Sequence, residues 1–145
     1  MKVFKQKIEF SFVDVSKVNV ELVITKEESK LVYLFKMPND SFEEKIFVIY
    51  GQELTSYIEA WKECFDEMIF YKERMANIRD GSFRKEGKNN LIININKSVG
   101  YVALVNHYWD HFKVTNHEQL REVIKKYEYA RDKIKNVQKV MEKSE

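Results

Sequence analysis

One cysteine, one proline and four glycines in 145 residues deprive this chain of the devices that usually announce a small protein's chemistry. A lone Cys64 excludes an intrachain disulfide, which points toward a reducing compartment. No glycine-rich loop is present to cradle a phosphate or a dinucleotide. A charge excess is also lacking, with 25 basic residues against 23 acidic ones, net +2. A protein living on phosphate backbones carries a stronger basic excess, and a nucleic-acid mimic would be strongly acidic. No apolar run approaches the roughly 20 residues that a bilayer-spanning helix needs. The opening Met1-Lys2-Val3-Phe4-Lys5-Gln6-Lys7 turns to charge too early for a secretory hydrophobic region. Together these absences lead us to expect a cytoplasmic protein with no membrane partner. Linkers, low-complexity blocks and sequence repeats are missing as well, so the expectation is one domain over 1–145, its tail fraying from about Glu142.

Apolar material is present in quantity: 44% of the residues are hydrophobic and 14% aromatic, enough for a sizeable core. Its period changes along the chain. Ile8, Phe10 and Phe12 alternate with Lys7, Glu9 and Ser11, as in a half-buried strand, and Val18, Val20, Leu22 and Ile24 repeat the pattern. Leu31–Phe35 and Ile46–Tyr50 are apolar at every position, which predicts strands covered on both faces or carrying a face reserved for a partner. From about Glu53 to Ile78 the period becomes helical. Leu54, Ile58, Trp61, Phe65, Met68 and Ile69 lie on one side, with Tyr57 and Cys64 at its edge.

Leu91–Ile95 and Tyr101–Val105 read as a hairpin. Thr115 and Glu118 form a capping box that opens a second helix, whose stripe is Leu120, Val123, Ile124, Tyr127, Ala130, Ile134, Val137 and Met141. The order β-β-β-β-α-β-β-α predicts an α+β fold: a mainly antiparallel sheet of about six strands packed with two long helices.

Few residues carry a chemical reading. His107, Asp110 and His111 place two imidazoles four apart beside a carboxylate, a spacing that serves metal ligation or acid–base work on a helix. The stretch leaves a strand, however, and lacks the Glu that follows the first His of a zinc protease. The plainer reading is a loop whose Tyr108, Trp109 and Phe112 pack beneath the sheet. Residues 79–88 carry Arg79, Arg84, Lys85 and Lys88 with Phe83 among them, a basic loop that could grip a single nucleic-acid strand. Four cations give such an interaction little long-range attraction.

The first helix offers more. Glu59, Glu63, Asp66 and Glu67 fall opposite its core stripe, and Phe70 projects among them. From Gln52 to Glu73, six acidic residues against two lysines make the segment net −4. An aromatic ring framed by charge of one sign has the make-up of an interface anchor with a steering rim. Apolar sheet positions such as Val32, Leu34, Phe47 and Ile49 form a second candidate surface.

The expectation is a non-catalytic protein-binding domain with no cofactor, metal or catalytic residue. Its partner is another protein, or itself as a homodimer. In general style, the small size, many aromatics and Lys/Glu/Ile/Asn-rich composition resemble bacterial immunity proteins and phage-encoded inhibitors, which implies blocking a toxin or defence enzyme. A small enzyme using His107, Asp110 and His111 is the alternative, and a weak nucleic-acid binder using the 79–88 loop is a second.

Overall fold

The structure, a computed structural model, describes residues 3–10, 18–36, 44–75, 82–86, 92–96, 100–104, 111–114 and 117–143. Four strands come first: β1 (Phe4–Ile8), β2 (Val18–Ile24), β3 (Ser29–Lys36) and β4 (Glu44–Tyr50). A 3-10 turn at Gly51–Glu53 leads into α1 (Leu54–Met75). Then follow β5 (Ser82–Glu86), β6 (Ile92–Asn96), β7 (Gly100–Leu104), β8 (His111–Val114) and α2 (His117–Lys143). The fold is α+β and its strands pair antiparallel.

The strands do not form one sheet of about six. They pair in chain order as two four-stranded meanders, β1-β2-β3-β4 and β5-β6-β7-β8. Among the described residues the element order is therefore ββββα twice over, a repeat of structure where the sequence shows none. The two additional strands, β5 and β8, escape pattern reading for a physical reason. Both lie at an edge of the second sheet, where strands are short and charged and carry little of the apolar alternation that marks a central strand. Ser82–Glu86 holds a single apolar residue, and β8 is four residues long. The hairpin expected from Leu91 to Val105 is the β6–β7 pair, closed between Asn96 and Gly100.

The chain clusters into two compact units, one comprising Met1–Ser11, Val15–Thr55 and Lys125–Glu145, the other Phe12–Asp14 and Ser56–Ile124. In the first unit, paired residues share a sheet face. Ile8, Val20 and Tyr33 lie in register, as do Leu22, Leu31 and Ile49. This inner face also carries Ile24 and Phe47, and all of these side chains are buried. The expected first strand keeps its phase but not its place: β1 ends at Ile8, and the buried Phe10 follows it outside the ladder.

α2 from Lys125 onward covers this inner face: of the expected stripe, Tyr127, Ala130, Ile134 and Met141 are buried here and Val137 is half-buried, while Leu120, Val123 and Ile124 are buried in the second unit. Tyr127 meets Phe10 edge-on, ring centroids 5.2 Å apart, and lies 6.4 Å from Tyr33. Phe10–Tyr33 and Tyr33–Phe47 contacts at 5.6 and 5.7 Å complete an aromatic cluster. The helix at the far end of the chain thus closes the first meander.

Two local devices position these elements. Thr25 closes the β2–β3 connection: its backbone N–H donates to the Glu28 carbonyl at 2.6 Å, and the Glu28 N–H donates to Thr25 Oγ1 at 2.9 Å. Gly51 ends β4 against Ser29. A Cβ at this position would overlap Ser29 Oγ and lie 3.3 Å from Ser29 Cβ, so glycine permits the close approach that starts the turn into α1.

In the second unit α1, from Ser56 onward, clusters with the β5–β8 meander and the first turns of α2. Phe65 joins the helices there: the His117 ring stands edge-on at 6.1 Å and the Arg121 guanidinium lies 5.4 Å from the ring centroid. Among the described residues, no helix is long and apolar enough to cross a membrane.

Candidate functional site

At 3.6 residues per turn, positions 59, 63, 66 and 70 share one face of α1, spaced i, i+4, i+7 and i+11. The opposite face is buried in the first half of the helix, through Leu54, Tyr57, Ile58 and Trp61. Burial then declines. Phe65 is half-buried, and Ile69 and Phe70 are 39% and 45% exposed. Ile69 was expected in the core stripe; the structure instead leaves it beside Phe70 at the surface. Glu59 and Asp66 are exposed and Glu63 is half-buried. The Glu67, Cys64 and Met68 side chains lie outside the described residues. This part of α1 therefore presents two adjacent large apolar side chains, with Phe70 following three carboxylates along one face.

The sheet positions divide by register. Phe47 and Ile49 belong to the inner face, 6% and 0% exposed, and are unavailable to a partner. An all-apolar strand conceals its own alternation, so the sequence could not separate them from their neighbours. The outer face holds Val32 opposite Val48 and Leu34 opposite Ile46. Ile46 is 67% exposed and Tyr50 42%, while Val32, Leu34 and Val48 are half-buried. These five residues on two adjacent strands form a second apolar surface.

A third feature had no signal in the sequence. One flank of α2 runs beside β1 and Glu9 just after it, touching them at successive turns. Lys126 donates to the Glu9 carbonyl, Gln6 Nε2 donates to the Tyr129 hydroxyl at 3.0 Å, and the Lys133 ammonium sits 5.6 Å from the Phe4 ring centroid. Beyond Lys133 the two elements part around an open groove of about 600 Å³, lined by Val3, Phe4, Lys133, Asn136, Val137, Val140 and Met141.

No family model, curated protein or solved structure matches this chain. The reading of these surfaces therefore rests on their own chemistry.

The other residues singled out in the sequence are distributed as follows. His107 and Asp110 lie outside the described residues, and His111 is the first residue of β8. His117 begins α2, against Phe65. Among the described residues no group of three or more His, Cys, Asp or Glu is placed to hold a metal ion. Residues 79–88 are not simply a loop: Phe83, Arg84 and Lys85 lie in β5, paired with β6.

Proposed function

We propose that this chain is a non-catalytic protein-binding domain of the immunity or inhibitor type, acting by covering a surface of a toxin or defence enzyme. One observation carries the reading: exposed Phe70 lies on the face of α1 that bears Glu59, Glu63 and Asp66, and its neighbour Ile69, on the apolar side of the helix, is exposed as well. Large apolar side chains standing in water at adjacent positions gain free energy when a partner covers them, and an aromatic anchor inside a charged rim is the usual composition of a binding hot spot. The helix segment's net −4 favours a basic partner surface and would speed encounter with it.

The test uses the chain as bait for proteins of its source cell, with wild type, Phe70→Ala and Glu63→Lys in parallel. A protein captured by wild type and lost from both variants, while each keeps the wild-type thermal transition, supports the reading. Equal capture by all three removes α1 as the contact surface.

A further inference from the structure

The groove between β1 and α2 has a composition that selects its ligand. Its walls are aliphatic or aromatic at five of seven lining positions, namely Val3, Phe4, Val137, Val140 and Met141. Val3 and Val140 are 48% and 67% exposed, so apolar surface stands in water there. Among the described residues Lys133 is the charged one in the lining, and its ammonium is steadied over the Phe4 ring. Nearby, Arg131 is engaged along its own helix by Glu128 at 3.8 Å and Asp132 at 3.4 Å. From Lys125 to Lys143 seven basic residues face three acidic ones, net +4, opposite in sign to α1.

Size separates a small molecule from a macromolecule. Seven lining residues around about 600 Å³ fall within the range of small-ligand sites, roughly 300–1,000 Å³, and well short of the roughly 20–30 residues a side of a protein interface. An apolar trough with a cation at its wall is complementary to an apolar chain ending in an anion.

We infer that this groove binds a single-chain amphipathic anion, an alkyl carboxylate of the fatty-acid class. The chain lies along Val137, Val140 and Met141, and the carboxylate pairs with Lys133. This inference is independent of the α1 surface, since it uses none of its residues.

Sodium dodecanoate, kept below its micelle concentration, is the probe, titrated into the full chain by calorimetry. Saturable binding of one equivalent is expected. Lys133→Met should weaken it roughly tenfold, as loss of a charge-assisted hydrogen bond does, while Lys133→Arg retains it. Val140→Glu sets a carboxylate into the groove at an exposed position and should abolish binding without moving the thermal transition. Dodecylammonium, with the same chain and opposite charge, should not bind. The inference is overturned by absence of saturable dodecanoate binding, by equal binding of the ammonium compound, or by unchanged affinity in Lys133→Met and Val140→Glu. Association with anionic vesicles without uptake of the monomer also overturns it.

Discussion

Replacing Tyr127 with alanine tests whether α2 is what closes the first meander. The ring is 1% exposed and meets Phe10 at 5.2 Å and Tyr33 at 6.4 Å. Truncating a large buried aromatic to alanine costs about 3–5 kcal/mol, combining lost transfer free energy with the cavity left behind. The edge-on contact with Phe10 adds its own coupling, about 0.5–1.5 kcal/mol. Against a typical total stability of about 5–15 kcal/mol, a loss of this size removes between roughly a quarter and all of the margin. The melting temperature should fall by roughly 10–20 °C, taking about 3 °C per kcal/mol for a chain of this length. Equilibrium urea unfolding of wild type, Tyr127→Ala, Phe10→Leu and the double variant measures both quantities. A loss below about 1.5 kcal/mol would refute the packing. So would a cycle additive within about 0.3–0.5 kcal/mol, the signature of residues that do not touch.

Further outcomes follow from single positions. Ile46 and Phe47 are neighbours with opposite exposure, 67% and 6%. Ile46→Lys should therefore leave stability within about 0.5 kcal/mol, whereas Phe47→Ala should cost about 3–5 kcal/mol, and similar losses in urea melts would mean the strand phase is wrong. Phe70→Ala, at an exposed position, should change stability by less than about 0.5 kcal/mol while weakening any partner bound there by about 2 kcal/mol, roughly thirtyfold. Gly51→Ala should destabilise by about 1–2 kcal/mol because the new methyl meets Ser29. Adding Ser29→Ala should recover most of that loss, and a cycle without recovery would point to a cause other than this contact. Deleting 125–143 removes the cover of the first meander's inner face, and the shortened chain should bind a hydrophobic dye and aggregate on gel filtration. A monomer with wild-type dye binding would contradict the assignment of α2 to that face.

Patterning explains which of these features could be read in advance. The α2 stripe was legible at every position but Val137, which is half-buried at the groove, because i, i+3, i+4 spacing is a property of the helix itself, whatever it packs against. Val20, Leu22 and Ile24 were legible for the same reason at period two. β3 and β4 resisted, since a run apolar at every position carries no phase, and Phe47 and Ile49 could not be told from Ile46 and Val48. β5 and β8 resisted from the other direction, having too few apolar residues for alternation to show. On α1 the acidic face was visible, but the point where the helix leaves its core was not: Ile69 continues the apolar spacing and is nonetheless exposed. The groove had no signal, because Phe4 and Lys133 lie 129 positions apart and neither is unusual locally.

The sequence alone determined the α+β class, the antiparallel pairing and the buried stripe of α2, because side-chain period is set by local backbone geometry. Tertiary structure alone decided that the strands form two meanders instead of one sheet and that the last helix covers the first sheet. It also decided which face of β3–β4 is in water and where β1 and α2 part into a groove. Each of these depends on contacts between residues distant along the chain, and the free energy that selects among them comes from mutual burial, which no single segment carries by itself.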